Sequence, residues 1–117
     1  MKLKDGHYID EEGGEVYVQN GVYHRLDGPA IIMEDGTREW RVDGVLHRLD
    51  GPAIIWKDGS QFWLQDGMEH REDGPAGIYA DGDKEWWLEG KHYPQIKNDV
   101  QWMIEVQKMK RKQKENK

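Results

Sequence analysis

The chain has 117 residues, 36% of them hydrophobic and 34% charged, so it holds one compact domain around a thin core. It has no cysteine, which excludes disulfides, thiolate metal sites and thiol nucleophiles. The net charge of -6 divides into 10 Lys/Arg against 20 Asp/Glu over residues 1–94 and 7 against 3 over residues 95–117. An acidic body of this kind is ill suited to a phosphate backbone, so double-stranded nucleic acid is not an expected partner. The start MKLKDGHYIDEEGG lacks the apolar run of a signal peptide, and no stretch approaches the length of a membrane span. A soluble cytoplasmic protein with no membrane partner is expected.

Three copies of a 23-residue unit follow one another without gaps: VYHRLDGPAIIMEDGTREWRVDG (22–44), VLHRLDGPAIIWKDGSQFWLQDG (45–67) and MEHREDGPAGIYADGDKEWWLEG (68–90). Residues 1–21 form a decayed copy whose Tyr17 and Asn20-Gly21 keep the register, and a further start is abandoned at Pro94. With fourteen Gly, six Trp and five Tyr, the composition fits short aromatic strands joined by tight turns. In each copy a strand over 30–33 is predicted, then a two-residue turn at Asp35-Gly36 and a return strand over 37–42. Asp43-Gly44 turns the chain again, and LDGP makes a wider corner. The expected fold is mainly β, an antiparallel hairpin meander of seven or eight strands over 1–93. A C-terminal helix and basic tail occupy 94–117.

Strand alternation separates constant from changing positions. Ile32, Ile55 and Ile78 are constant, as are Trp40, Trp63 and Trp86. Met33, Trp56 and Tyr79 differ, as do Glu39, Phe62, Glu85 and Arg41, Leu64, Trp87. Packing keeps repeat positions alike and recognition makes them diverge. The changing positions therefore read either as packing beneath the helix or as an aromatic binding surface. In the helix, Ile96, Val100, Met103 and Ile104 fall on one face, expected to cover the sheet. Trp102, Val106 and Met109 fall on another, expected to join a second copy.

The pairs His24-Arg25, His47-Arg48 and His70-Arg71 carry the other candidate chemistry. They read as bracing, with each Arg on Asp27, Asp50 or Asp73, or as a ladder of donors for an anionic ligand. Candidate ligand-binding residues are thus these six together with Trp56, Tyr79 and Trp87. Equivalent His residues two strands apart are about 10 Å from each other, too far to share one zinc ion, so no metal is expected within one chain. No cofactor is expected. The chain carries no GxSxG, Walker or HExxH motif, and its Asp-Gly carboxylates serve turns, so no catalytic residue is expected either.

His-Arg-x-Asp-Gly-Pro-Ala, intact three times with a Trp on each return strand, resembles the MORN-like hairpin-repeat proteins of tailed phages and large DNA viruses. The resemblance covers residues 15–93. It implies a repeat-built sheet and a viral or bacterial origin, with the host cytoplasm as the setting if viral. The reading expected from it is a non-enzymatic accessory protein that sequesters or inhibits a host defence factor, either a protein or a small signalling nucleotide. A self-assembling scaffold and a toxin-neutralising protein are the alternatives.

Overall fold

A computed structural model describes residues 4–115. The chain is mainly β, with fifteen short strands and one C-terminal helix among the described residues. The decayed copy supplies β1 (Gly6–Ile9) and β2 (Glu15–Gln19), followed by β3 (Val22–Tyr23). The next copies supply β4 (Ile31–Ile32), β5 (Arg38–Glu39), β6 (Arg41–Val42) and β7 (Val45–Leu46), then β8 (Ile54–Ile55), β9 (Gln61–Phe62), β10 (Leu64–Gln65) and β11 (Met68–Glu69). The last strands are β12 (Gly77–Ile78), β13 (Lys84–Glu85), β14 (Trp87–Leu88) and β15 (Lys91–His92), before α1 (Asp99–Glu115). The principal sheet is antiparallel in the order β1-β2-β4-β5-β8-β9-β12-β13, with β3 on the far half of β2. The hairpins β6-β7, β10-β11 and β14-β15 run beside it as a second row.

There are more strands than the seven or eight expected because each return strand changes partner at its Trp. The Trp40 N–H donates to Ala53 O of the next copy, while the Trp40 carbonyl accepts from His47 N of its own hairpin. Trp63 does the same with Ala76 and His70, and Tyr17 with Ala30 and His24. Single bonds such as Arg48 N to Leu64 O and Gly67 N to Leu46 O stitch the second row together. Ala30, Ala53 and Ala76 are fully buried at these junctions.

The turns are of two kinds. Asp43-Gly44, Asp66-Gly67 and Glu89-Gly90 take positive φ at both residues (51° and 82° in the first), the geometry of a two-residue hairpin turn. At Asp35-Gly36 only Gly36 does so, at 94°. The turn there is longer than expected. Gly36 N bonds Met33 O, Met33 N bonds Thr37 O, and the Asp35 carboxylate accepts from Thr37 N instead of adopting positive φ.

The helix expectation is corrected. Asn98 caps α1, its Oδ1 accepting from Gln101 N. Trp102 is fully buried and Val106 5% exposed, packed with Trp86, Tyr93 and Ile96, and Met109 lies against the same cluster. Val100, Met103 and Ile104 point away, at 65%, 62% and 54% exposure. Trp102, Val106 and Met109 are therefore intramolecular core and not a surface for a second copy. The physical cause lies in the repeat itself. Every earlier aromatic at the Trp position is covered by the Arg of the following copy, but that Arg becomes Pro94 after Trp86. The helix fills the gap, and Trp102 Nε1 donates to Arg71 O as it does so.

Candidate functional site

Cross-strand register sorts the strand residues onto two faces. Ile31 lies opposite Glu39, Ile54 opposite Phe62, Gly77 opposite Glu85, and Arg41 opposite Leu46. Directly paired residues share a face. One face therefore carries Met33, Trp56 and Tyr79, the Glu39/Phe62/Glu85 set and the Arg41/Leu64/Trp87 set. The other carries Ile32, Ile55 and Ile78 with the Trp row. No strand position on the first face is identical in all three full copies. Every strand position that is identical lies on the second. The alternation in the sequence separated these sets, and the fold gathers the changing ones on one surface.

The helix does not cover that surface. It packs on Trp86, Tyr93 and Leu88 at the end of the constant face. The variable face is consequently free of the helix and open along the Met33, Trp56 and Tyr79 row. There Trp56 is 43% exposed and Tyr79 39%, with Tyr23 and Met33 close to the same value, while Leu64 and Glu39 beside it are buried. Local bonds hold the side chains in place. The Tyr79 hydroxyl donates to Glu85 Oε1 at 3.0 Å, and this bond raises the phenol's pKa. Tyr79 meets Phe62 edge-on at 5.3 Å, and Trp87 stacks on His92 at 4.7 Å. Glu39 is buried and paired with Arg41 at 2.8 Å. Tyr23, Leu46, Glu69 and His92 belong to the same face and were not singled out from sequence. Their register opposite Val18, Arg41, Leu64 and Trp87 follows directly from a two-residue turn at Asn20-Gly21, Asp43-Gly44, Asp66-Gly67 and Glu89-Gly90.

The His-Arg pairs occupy the opposite, constant side. Arg25 lies over Tyr17 at 3.9 Å, and Arg48 and Arg71 lie over Trp40 and Trp63 at 4.0 Å. Each guanidinium also donates from Nε to Asp27, Asp50 or Asp73, and from Nη1 to the carbonyl of Pro29, Pro52 or Pro75. The Arg25 hydrogen bond, reinforced by its charge, holds the Asp27 carboxyl below the usual range. His24, His47 and His70 accept at Nδ1 from the backbone N–H of Asp43, Asp66 and Glu89, which fixes the next two-residue turn. The nine candidate residues thus fall into two groups on opposite faces. The six of the ladder direct their principal bonding groups into the fold, while Trp56 and Tyr79 are exposed on the variable face and Trp87 is half-buried there against His92.

The concavities of the constant side are open grooves between successive corners. One, of about 670 Å³, is lined by Arg25, Leu26, Trp40, Val42, His47 and Arg48 among others. Among the described residues no three His, Asp or Glu side chains gather into a set that could hold a metal ion. No helix among them is long and apolar enough to cross a membrane. Comparison with protein-family models, with curated proteins and with solved structures finds no match.

Proposed function

We propose that the protein is a non-enzymatic binding module that holds a protein partner on its variable sheet face. The carrying observation is the division of labour between the faces. Residues that must be alike to propagate the fold lie on one side, and the divergent residues gather on the other, where Met33, Trp56 and Tyr79 are exposed. Half-exposed Trp and Tyr in an open, shallow surface have the chemistry of a protein hot spot. A signalling nucleotide fits less well, because it needs cations converging on the aromatic rings. Arg25, Arg48 and Arg71 lie on the opposite side with Nε and Nη1 already committed. The resemblance of the repeat to phage proteins extends the reading to an accessory protein that sequesters or inhibits a host factor by stoichiometric binding.

Native mass spectrometry of the protein purified from the cells that make it tests the proposal. A retained polypeptide in simple ratio is expected. Trp56→Glu with Tyr79→Glu removes it, while Leu49→Glu, at an exposed corner of the constant side, leaves it bound. A truncated hot spot costs about 2 kcal/mol or more, so Trp56→Ala alone weakens binding about 30-fold. A partner indifferent to Trp56 and Tyr79, or a retained mass of nucleotide size, overturns the reading.

A further inference from the structure

We infer that the two ends of the sheet are complementary, so that β13 of one copy pairs with β1 of a second copy and the chains join head to tail. Both are edge strands: the principal sheet begins at β1 and ends at β13. An open edge presents unpaired backbone donors and acceptors, and it is managed by covering, charging or pairing it. Here the partner chemistry is written into the repeat.

At every internal junction the outer side of a return strand meets the first strand of the following copy in one register. Glu15 and Val16 face Ile32 and Ile31; Arg38 and Glu39 face Ile55 and Ile54; Gln61 and Phe62 face Ile78 and Gly77. Strand β13 is the return strand of the last copy and has no following one. Strand β1 is the first strand of the decayed copy, and among the described residues no strand precedes it. Tyr8 lies opposite Val16 and Ile9 opposite Glu15, just as Ile31 and Ile32 lie opposite Glu39 and Arg38. His7, Tyr8 and Ile9 therefore stand in the places of Ala30, Ile31 and Ile32. The register across the two chains is then fixed: Lys84 faces Ile9, Glu85 faces Tyr8, and Trp86 N–H donates to the His7 carbonyl.

Four further features bear on these edges. Ile9 is 65% exposed, whereas Ile32, Ile55 and Ile78, flanked by strands on both sides, are each half-buried. A groove of about 690 Å³ runs along β13, walled by Lys84, Glu85 and Trp86 on one side and by Tyr93, Pro94 and Ile96 on the other. Trp86 Nε1 is buried there without a hydrogen-bond partner among the described residues. Finally, Thr37 Oγ1 accepts from Lys57 N and Ser60 Oγ from Ala80 N, so at these two junctions a side-chain acceptor ties the turn to the next copy. Asp83 stands at this position in the last copy and offers a carboxylate to Glu11 N of the incoming chain. The contact is heterologous, leaving one open edge of each kind on every pair, and it closes as a ring or grows as a filament. It uses neither face, so the variable faces of joined copies form one longer surface.

The natural absence of cysteine makes the test clean. Ile9→Cys and Lys84→Cys each place one thiol at an exposed position, and opposed cross-strand residues lie within disulfide reach. Under mild oxidation a mixture of the two variants is expected to give a covalent heterodimer. Its yield should be several-fold above the collision control, Ile9→Cys mixed with Leu26→Cys. The double variant Ile9→Cys/Lys84→Cys gives a ladder of covalent oligomers. Sedimentation of the cysteine-free protein shows mass rising with concentration, and Ile9→Lys abolishes the rise. A heterodimer yield no greater than the control, or Ile9→Cys homodimers in place of the mixed species, overturns the inference.

Discussion

Trp63 and Trp86 are the same residue in successive copies, yet they are covered in different ways. Trp63 lies beneath the Arg71 guanidinium, whose other bonds go to Asp73 and Pro75, and it keeps partial contact with water. Trp86 has Pro94 where that Arg would be, and is only 4% exposed beneath Tyr93, Ile96 and Trp102. The difference shows what the repeat lacks. A hairpin copy supplies cover for the copy before it but none for itself, so the last one is completed by an element of another kind. A charged lid suffices where the next copy continues the sheet, and an apolar helix serves where it stops.

Removing the helix's anchor breaks the comparison most severely. Trp102→Ala deletes a fully buried side chain and the bond to Arg71 O, and is expected to cost about 3–5 kcal/mol. Urea denaturation followed by intrinsic fluorescence measures it, with the midpoint falling sharply. Replacing an internal lid costs less. Arg48→Ala removes one cation–π contact and leaves Pro52 O without its donor, an effect of about 1–2 kcal/mol. Arg48→Lys recovers little of this, because an ammonium cannot reproduce the fork to Asp50 and Pro52. If Arg48→Ala proves as costly as Trp102→Ala, the two kinds of cover are equivalent and the contrast fails.

The smallest effect sharpens the contrast between copies at the other end. Glu34 has its pKa raised, first by the charge of Glu12 and then by Asp10, both in the decayed copy. A raised folded pKa means stability that is present while the group is protonated and lost as pH rises through that value. Glu34→Gln is therefore expected to stabilise the protein slightly at pH 7 and to lose this advantage below pH ~4, near the carboxylate's ordinary range. Thermal melts of the two proteins across that window check it; equal melting temperatures at pH 7 count against the repulsion. Lys57 and Ala80 occupy the Glu34 position in the later copies, so the strain is confined to the first junction.

Much of this was legible in the residues. The 23-residue phase located the hairpins, the constant Trp fixed the register, and Asp27, Asp50 and Asp73 were readable as partners of the Arg row. Alternation also separated the variable positions, although it could not say which face the helix covers. Ile96 packs on the sheet as expected, but Val100, Met103 and Ile104 exchange places with Trp102, Val106 and Met109, because apolar residues occupy both sides of α1 and periodicity alone assigns neither to the core. A signal was nonetheless present at Tyr93-Pro94, which replaces His-Arg. It leaves Trp86 without a lid and calls for a large flat ring such as Trp102. The Asp35-Gly36 turn was misjudged for a local reason. An Asp can satisfy a turn through its carboxylate without entering the left-handed region, and Asp-Gly alone does not distinguish that from the geometry at Asp43-Gly44.

The buried alanines have a consequence for how such a chain can change length. Trp40 bonds Ala53 as Trp63 bonds Ala76, so each seam joins the same two chemical groups. Duplicating or deleting one whole 23-residue segment between 22 and 67 thus recreates a seam already present in the molecule, and lengthens or shortens the sheet by two strands, about 10 Å. A shift of a single residue within a strand instead turns every side chain to the wrong face. Unequal recombination in register is therefore structurally cheap, and it changes the size and content of the divergent face while the cap at Trp86 stays untouched.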